Sequence, residues 1–220
     1  MNNHPIRLPW VGSRYEDTRV LIMGESHHCD PADEFSLNLT LRAVGANCDG
    51  TLPSTFFNDI KDAVLGEFSN ATPSKEFWNQ FAFANFCQGA VIRKEGSPLE
   101  KATPQMYRSG EQALPTIISL LKPRKVLLFS RECWKKYTKN IPSISRDKKF
   151  DPITCPDGKK AEVHYYASDE LLFAFSCLSL YHPGSWNRSG QSAGYWHPVI
   201  TDFLSRDFPT NSTIANSLPV

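Results

Sequence analysis

The sequence predicts an α/β fold, a three-layer α/β/α sandwich around a central, mainly parallel sheet of four strands. Short apolar runs at residues 19–24 and 125–130 end at a Gly and a Ser, which is typical of buried parallel strands. Segments with helical periodicity, at 54–65 and 104–121, lie between such runs. Strands that alternate with helices favour a parallel sheet with helices on both of its faces.

The individual elements follow from the same patterns. Strands are predicted at residues 19–24, 78–87, 125–130 and 178–181. Helices are predicted at residues 35–44, 54–65, 104–121, 132–140 and 195–208. Polar residues 25–34 and 146–160 are predicted to be loops, and residues 162–167 to add a β segment. We expect Gly110 and Pro115 to break or kink the long helix, because Pro cannot donate a helical hydrogen bond.

The composition excludes several classes of protein. The chain has 220 residues, 40% of them hydrophobic, which suits one domain over residues 1–208 and a polar tail at 209–220. No stretch reaches the roughly 18–20 apolar residues of a membrane span, so we expect no membrane partner and no signal peptide. The six cysteines include no Cys-x-x-Cys pair, so we expect reduced thiols, a cytoplasmic protein and no metal or cluster.

Charge is distributed unevenly along the chain, although the net charge is only +1. Residues 1–60 hold four Lys or Arg against eight Asp or Glu, a net charge of −4. Residues 122–160 hold twelve against four, a net charge of +8. Such an asymmetry indicates either a surface that binds a polyanion or an ordinary solvated surface, and charge alone leaves both open.

A polar side chain lies at or just after the end of each predicted strand, namely Glu25, Asn85, Ser130 and His182. Because the carboxyl ends of parallel strands meet at one edge of the sheet, we expect these four residues to converge there. A partly desolvated Glu25 can act as a general base toward water, or it can cap a nearby helix. Asn85 offers a donor and an acceptor that match a nucleobase edge, or it bonds to its own turn.

The segment from His182 to Arg188 is the last one whose residues could take part in catalysis or binding. His182 can donate to an oxygen that becomes negative during bond cleavage, or it is a structural residue of a turn. Trp186, next to Arg188 on a Ser- and Gly-rich loop, can wedge into a base stack, or it folds back onto the core.

In order and position these pieces resemble the uracil-DNA glycosylase superfamily, most closely family 4. Residues 20–26, Val-Leu-Ile-Met-Gly-Glu-Ser, resemble its first motif, and residues 83–86, Phe-Ala-Asn-Phe, resemble the strand that ends in a base-reading Asn. Residues 104–134 resemble its helix-and-strand motif, and residues 181–185, Tyr-His-Pro-Gly-Ser, resemble its last motif. The resemblance spans roughly residues 15–205.

The resemblance implies a monofunctional hydrolase that flips a pyrimidine out of DNA and cleaves its N-glycosidic bond without a cofactor. It implies that His182 stabilises the departing base and that Glu25, with Asp30, positions water. The residues implied to bind the base are Gly24, Ser26, His27, His28, Phe56, Phe57 and Asn85, with Phe56 or Phe57 stacking on it. The residues implied to bind DNA are Ser130, Arg131, Lys135, Gly184, Ser185, Trp186 and Arg188. Lys122, Arg124 and Lys136 are further candidate phosphate contacts.

The first motif departs from the family pattern, because His27 and His28 replace its Pro-Gly. This change puts plain uracil in doubt and favours a bulkier base, such as the hydroxymethylated or glucosylated cytosine of phage DNA, with a role in defence. Two neighbouring histidines without a third nearby ligand are weak evidence for a metal. A third alternative is a non-catalytic nucleic-acid-binding protein on the same fold. We expect a monomer whose partner is DNA.

Overall fold

The computed structural model describes residues 5–52, 54–92, 101–136, 145–168 and 173–208. In these residues the fold is α/β, with a mixed sheet flanked by helices. The strands are β1 (Trp10–Val11), β2 (Val20–Gly24), β3 (His27–Cys29), β4 (Ala82–Asn85), β5 (Ala90–Ile92), β6 (Lys125–Leu128), β7 (Ser145–Lys149), β8 (Ile153–Thr154), β9 (Lys160–Ala161), β10 (Val163–Ser168) and β11 (Phe173–Ser179). The helices are α1 (Tyr15–Thr18), α2 (Leu39–Cys48), α3 (Thr55–Leu65), α4 (Ser74–Trp78), α5 (Pro104–Leu121), α6 (Arg131–Lys136), α7 (Trp186–Ser189) and α8 (Ala193–Ser205).

The main sheet has the order β1-β4-β2-β6-β11-β10-β7. Strands β4, β2, β6 and β11 pair in parallel. The outer strands pair antiparallel: β1 with β4, β10 with β11, and β7 with β10. The carboxyl ends of the four parallel strands therefore lie at one edge of the sheet.

Two hydrophobic clusters lie on opposite faces of this sheet, because successive side chains of a strand point to opposite sides. Along β2, Leu21 and Met23 pack in the cluster that contains the buried side of α5. Val20 and Ile22 pack in the other cluster, with α3 and α8. A continuous apolar strand is thus buried on both sides, as the sequence predicted for residues 19–24.

Helix α5 lies very close to the end of β4. A Cβ atom at Gly110 would overlap the carbonyl oxygen of Phe86, so only glycine permits this approach. The helix continues through Gly110 and Pro115 from Thr103, whose hydroxyl caps its first turn. The predicted break in this helix is therefore wrong, whereas the alternative of a kink stays a prediction.

Several predicted boundaries are corrected. The last parallel strand is Phe173–Ser179 and not 178–181, and the first residues of the predicted strand 78–87 include the end of α4. Residues 25–34 contain β3, and residues 146–160 contain most of β7 and the small β8–β9 hairpin, so neither segment is only a loop. The added β segment at 162–167 is confirmed as β10. The predicted tail at 209–220 lies outside the described residues.

In the part of the chain that the structure describes, the longest helices are too short or too polar to cross a bilayer.

A candidate active site at the carboxyl ends of the parallel strands

The four polar residues predicted to converge lie in one row along the sheet edge. Asn85 ends β4, Glu25 directly follows β2, and Ser130 and His182 come shortly after β6 and β11. Because these strands are consecutive neighbours, the row runs Asn85, Glu25, Ser130, His182.

The backbone is irregular where Glu25 and Asn85 lie. The parallel pairing of β2 with β4 ends at Gly24 opposite Asn85, and it resumes as β3 with β5 at His27 opposite Ala90. The segment between β2 and β3 is shorter than the segment between β4 and β5, so the regular hydrogen bonding of the parallel strands cannot continue between the two strand pairs. The amides of Phe86 and Cys87 bridge the gap by donating to the carbonyls of Gly24, at 3.0 Å, and Glu25, at 2.8 Å.

Two hydroxyl groups hold the Glu25 carboxylate. The Tyr107 hydroxyl donates to Oε1 at 2.8 Å, and the Ser130 hydroxyl donates to Oε2 at 2.7 Å. Ser130 is buried and is itself fixed, because its Oγ accepts from the amide of Cys133 at 3.1 Å. The negative charge of Glu25 is therefore confined to one place, while each oxygen keeps a lone pair for another ligand.

Tyr107 is a site residue that the sequence did not predict. It lies on the buried face of α5, where its position matches the helical period of the core residues. Burial and the hydrogen bond to Glu25 raise the pKa of Tyr107 far above its usual value, so the hydroxyl stays protonated. A hydroxyl group among the mostly apolar residues of the buried helix face was the available signal.

The His182 ring is oriented by its own turn. Its Nδ1 accepts from the amide of Gly184 at 3.1 Å, so the proton of the neutral ring is on Nε2. The amide of Ser185, at 2.8 Å, and its hydroxyl, at 2.7 Å, donate to the His182 carbonyl. Burial lowers the pKa of His182, against the opposing effect of Glu25, and His28 lowers it further. The ring is thus neutral near pH 7 and keeps a donor at Nε2.

An aromatic ring and an amide complete the site above Gly24. The Phe56 ring stacks on His182, with ring centroids 5.1 Å apart and planes inclined by 25°. A Cβ atom at Gly24 would overlap Oδ1 of Asn85 and lie 3.0 Å from Cζ of Phe56. Gly24 therefore lets both side chains approach the strand end. Gln88 donates to the Asn85 carbonyl at 2.9 Å and fixes its backbone.

The two candidate stacking residues differ in position. Phe56 is half-buried and contacts His182, whereas Phe57 is buried in the core. The Phe57 ring makes edge contacts with Trp78, at 5.4 Å, and Phe83, at 5.1 Å. The prediction that Phe57 binds a base is therefore wrong, and Phe56 is the one of the two that contacts the site.

The two histidines also point to different surroundings, as neighbours in a strand do. His27 is buried, and its Nε2 hydrogen-bonds Thr40 at 2.8 Å. Burial lowers the pKa of His27 to about 3, helped by the charges of Arg7 and His28. The prediction that His27 lines a base pocket is wrong, whereas His28 is close enough to His182 to affect its protonation. Ser26 is half-buried beside Glu25.

Asp30 is solvent-exposed at the start of a short 3₁₀ turn. The hydrogen bonds of Glu25 and His182 among the described residues do not involve it. The predicted cooperation of Asp30 with Glu25 is therefore not formed.

Trp186 does not form the predicted exposed wedge. Its side chain is 3% exposed, and its indole donates to the Tyr181 carbonyl at 3.0 Å. Trp186 thus anchors the turn that carries His182. Gly184 and Arg188 are exposed on this turn, and Ser185 is half-buried.

The basic residues divide between two edges of the sheet. Arg131 and the exposed Lys135 follow β6 and lie on the side of the site. Lys122 and Arg124 precede β6, so about 13 Å of strand separates them from the site, at about 3.3 Å per residue. They therefore lie away from the site, and their contact with phosphate stays a prediction. The side chain of Lys136 lies outside the described residues.

The described residues hold no group of three or more His, Cys, Asp or Glu side chains arranged to bind a metal. The groups that do meet are a fixed carboxylate, a neutral imidazole donor, an amide and an aromatic ring. Together they can bind a flat heterocycle, stabilise a cation next to it and donate to an oxygen on it. Comparisons of the chain with protein-family models and with curated protein sequences found no match.

Proposed function

We propose that this protein is a DNA glycosylase that hydrolyses the N-glycosidic bond of a flipped-out pyrimidine and leaves an abasic site. The observation that carries the proposal is the pairing of a hydroxyl-clamped carboxylate, Glu25, with a neutral His182 that keeps its Nε2 proton. Cleavage of this bond generates a positive sugar and a negative base, and these two groups match those charges.

The sequence motifs add support. Residues 20–26, 83–86 and 181–185 resemble uracil-DNA glycosylase motifs, and their polar residues lie along one sheet edge. The proposal assumes the three-layer α/β/α architecture of that superfamily, with the parallel strands β4, β2, β6 and β11 as its centre.

In the proposed complex the target base is extruded from the duplex and lies against Phe56. Stacking of a base on an aromatic ring contributes roughly 1–3 kcal/mol. The Asn85 amide presents a donor and an acceptor to the Watson–Crick edge, which selects a pyrimidine with complementary groups.

Bond cleavage needs no covalent enzyme intermediate. The C1′–N bond breaks, its electron pair leaves with the base, and the Nε2–H of His182 donates to the base oxygen that becomes negative. The Glu25 carboxylate stabilises the oxocarbenium-like sugar and orients a water molecule. The water oxygen bonds to C1′, and the proton it loses balances the proton that the departing base takes up.

A modified pyrimidine is a second candidate substrate, favoured by the position of His28. His28 is close enough to His182 to lower the pKa of that ring. In the motif that this segment resembles, the same position holds a small residue. A hydroxymethyl or glucosyl group would offer hydroxyls to such a side chain. In that case the protein would act in defence against phage DNA and not in repair.

The test is an abasic-site assay with oligonucleotides that contain uracil, 5-hydroxymethylcytosine, its glucosylated form or plain cytosine, as single and double strands. We expect alkali-labile sites from at least one substituted base and none from cytosine. Glu25→Gln and His182→Ala should each reduce the rate at least about 10²-fold. Glu16→Gln, which removes an exposed carboxylate paired with Arg19 at the opposite edge, is the control. DNA binding without abasic sites on any substrate would instead establish a non-catalytic binding protein.

A further inference from the structure

A small hairpin lies beside the candidate site and carries two lysines towards solvent. It consists of β8 and β9, and its turn contains Asp157 and Lys159. We infer that Arg131 and the hairpin residues Lys159 and Lys160 bind a phosphodiester of the DNA strand that carries the target nucleotide. This inference rests on the proposed function and adds a phosphate subsite to it.

Arg131 lies next to the reactive groups. It follows Ser130, whose hydroxyl bonds Glu25, and its Cζ lies 5.0 Å from the ring centre of Tyr181, which precedes His182. The guanidinium is thus fixed on an aromatic ring at the rim of the site. Stacking of this kind holds the planar group in one orientation, which suits bidentate binding of phosphate.

The guanidinium of Arg131 has unused binding capacity. Its Nε is buried and has no hydrogen-bond partner in the part of the chain that the structure describes. No carboxylate of the described residues forms an ion pair with it. Arg131 is half-buried, and no described group accepts a hydrogen bond from its guanidinium, so its terminal N–H groups are available to an anion at the rim.

The hairpin turn faces the same rim. Tyr181, which stacks with Arg131, also packs against Trp196 of α8, with ring centroids 5.9 Å apart. The turn is fixed from α8, because the Tyr195 hydroxyl donates to Oδ1 of Asp157 at 2.8 Å. Arg131 and the hairpin therefore form one surface.

This surface carries excess positive charge. Lys159 pairs with Asp157 at 2.8 Å, but its side chain is 78% exposed, and such a pair is weak in water. Lys160 is exposed and bonds only a hydroxyl, that of Thr154, among the described residues. Arg131, Lys159 and Lys160 lie with one carboxylate of the turn, Asp157, and the neighbouring Glu132 and Glu162 reduce the local excess of positive charge. The exposed lysine head groups can still pair with a phosphate backbone, which is the commonest target of such groups in DNA.

The experiment measures fluorescence anisotropy of a labelled duplex that contains a tetrahydrofuran abasic-site analogue, between 50 and 200 mM KCl. The slope of log K against log[KCl] falls by about 0.9 for each lost phosphate contact. We expect the Arg131→Gln slope to be smaller than the wild-type slope by this amount. The slope of the Lys159→Gln/Lys160→Gln double variant should also be smaller than that of the wild type. The double variant changes only exposed side chains, so its result does not depend on the packing of Arg131 on Tyr181.

Arg124→Gln and Lys122→Gln are the matched controls, because both residues are exposed and lie at the other edge of the sheet. Their slopes should equal that of the wild type. Unchanged slopes in both rim variants would overturn the inference even if the wild type forms abasic sites. Reduced slopes in the rim variants, together with a wild-type protein that forms no abasic sites, would support the inference and reject the glycosylase proposal.

Discussion

The Glu25 carboxylate depends on two hydroxyl groups that come from separate elements, one from α5 and one after β6. A hydrogen bond to a charged group contributes roughly 1.5–3 kcal/mol. Such contacts fix where the charge acts, which matters more for a developing sugar cation than the presence of a carboxylate alone.

Tyr107→Phe removes one of these hydroxyls without changing the packing of the ring. We expect the single-turnover rate to fall roughly 10- to 100-fold, because about 1.4 kcal/mol corresponds to a factor of ten. The Tyr15→Phe control also removes a buried hydroxyl, which donates to the Leu121 carbonyl at 3.1 Å at the opposite edge. If Tyr107→Phe and Tyr15→Phe have equal effects on the rate, Tyr107 is only structural.

His27 makes the protein sensitive to acid. Its pKa is about 3 in the folded state and near 6.5 in the unfolded chain, so the unfolded chain binds more protons between these values. Stability is therefore full above about pH 6.5 and is lost as the pH falls towards 3. The expected loss in the free energy of unfolding from pH 7 to pH 5 is about 2 kcal/mol for this group.

Urea denaturation of the wild type and His27→Gln at both pH values tests this. Gln can keep a hydrogen bond to Thr40 but does not titrate, so the variant should retain only the smaller dependence that His182 contributes through its lowered pKa. Equal pH dependence in both proteins would show that His27 is not the titrating group.

At the scale of residues, the sequence predicted which residue types lie at the site better than it predicted which of two neighbouring side chains faces it. It identified Glu25, Asn85 and His182, because each comes at or after the end of an apolar strand. It could not separate Phe56 from Phe57 or His28 from His27, since which neighbour faces the site depends on the phase of a helix or of a strand interrupted at Ser26.

Among the elements, α5 has the most demanding position, because Gly110 lets it approach Phe86. Gly110→Ala would push the helix from that carbonyl and move Tyr107, one turn earlier, away from Glu25. We expect a loss of about 1–3 kcal/mol in the free energy of unfolding and a reduced rate.

The control for this change is Gly45→Ala in α2, where an added Cβ would meet nothing within 4 Å. It should stabilise the protein by about 0.5–1 kcal/mol, because glycine is a poor helix former. Urea denaturation of both variants measures the difference. A neutral or stabilising Gly110→Ala would contradict the close approach of α5 to Phe86.

Elements with strong periodicity were predictable, and those that depend on distant partners were not. The spans of α3 and α5 agree closely with the predicted 54–65 and 104–121. The predicted fourth strand missed most of β11, whose parallel partner β6 comes from an earlier part of the chain. The β8–β9 hairpin was missed because its paired strands have two residues each.

At the scale of the whole molecule, the proposed reactive groups and the cations at the rim lie at the same edge of the sheet but differ in exposure. The buried Gly24 and Asn85 and the half-buried Glu25 would perform recognition and chemistry in the proposed function, while the cations at the rim would provide affinity. Salt screens exposed charges strongly and buried ones much less.

Raising KCl from 50 to 200 mM should therefore lower kcat/KM steeply and leave the single-turnover rate at saturating enzyme nearly unchanged. Both quantities can be measured on the best substrate of the abasic-site assay. A single-turnover rate that falls in parallel with kcat/KM would show that exposed ion pairs, and not buried groups, hold the reactive carboxylate.

The interruption between β2 and β3 has a mechanical consequence. Glu25 and Ser26 form a span supported at both ends, since the chain is hydrogen-bonded to β4 before it and to β5 after it. A stretch this short, anchored twice, has few alternative conformations. Its shape is set during folding, so in the proposed function the substrate would bind to a preformed, rigid surface.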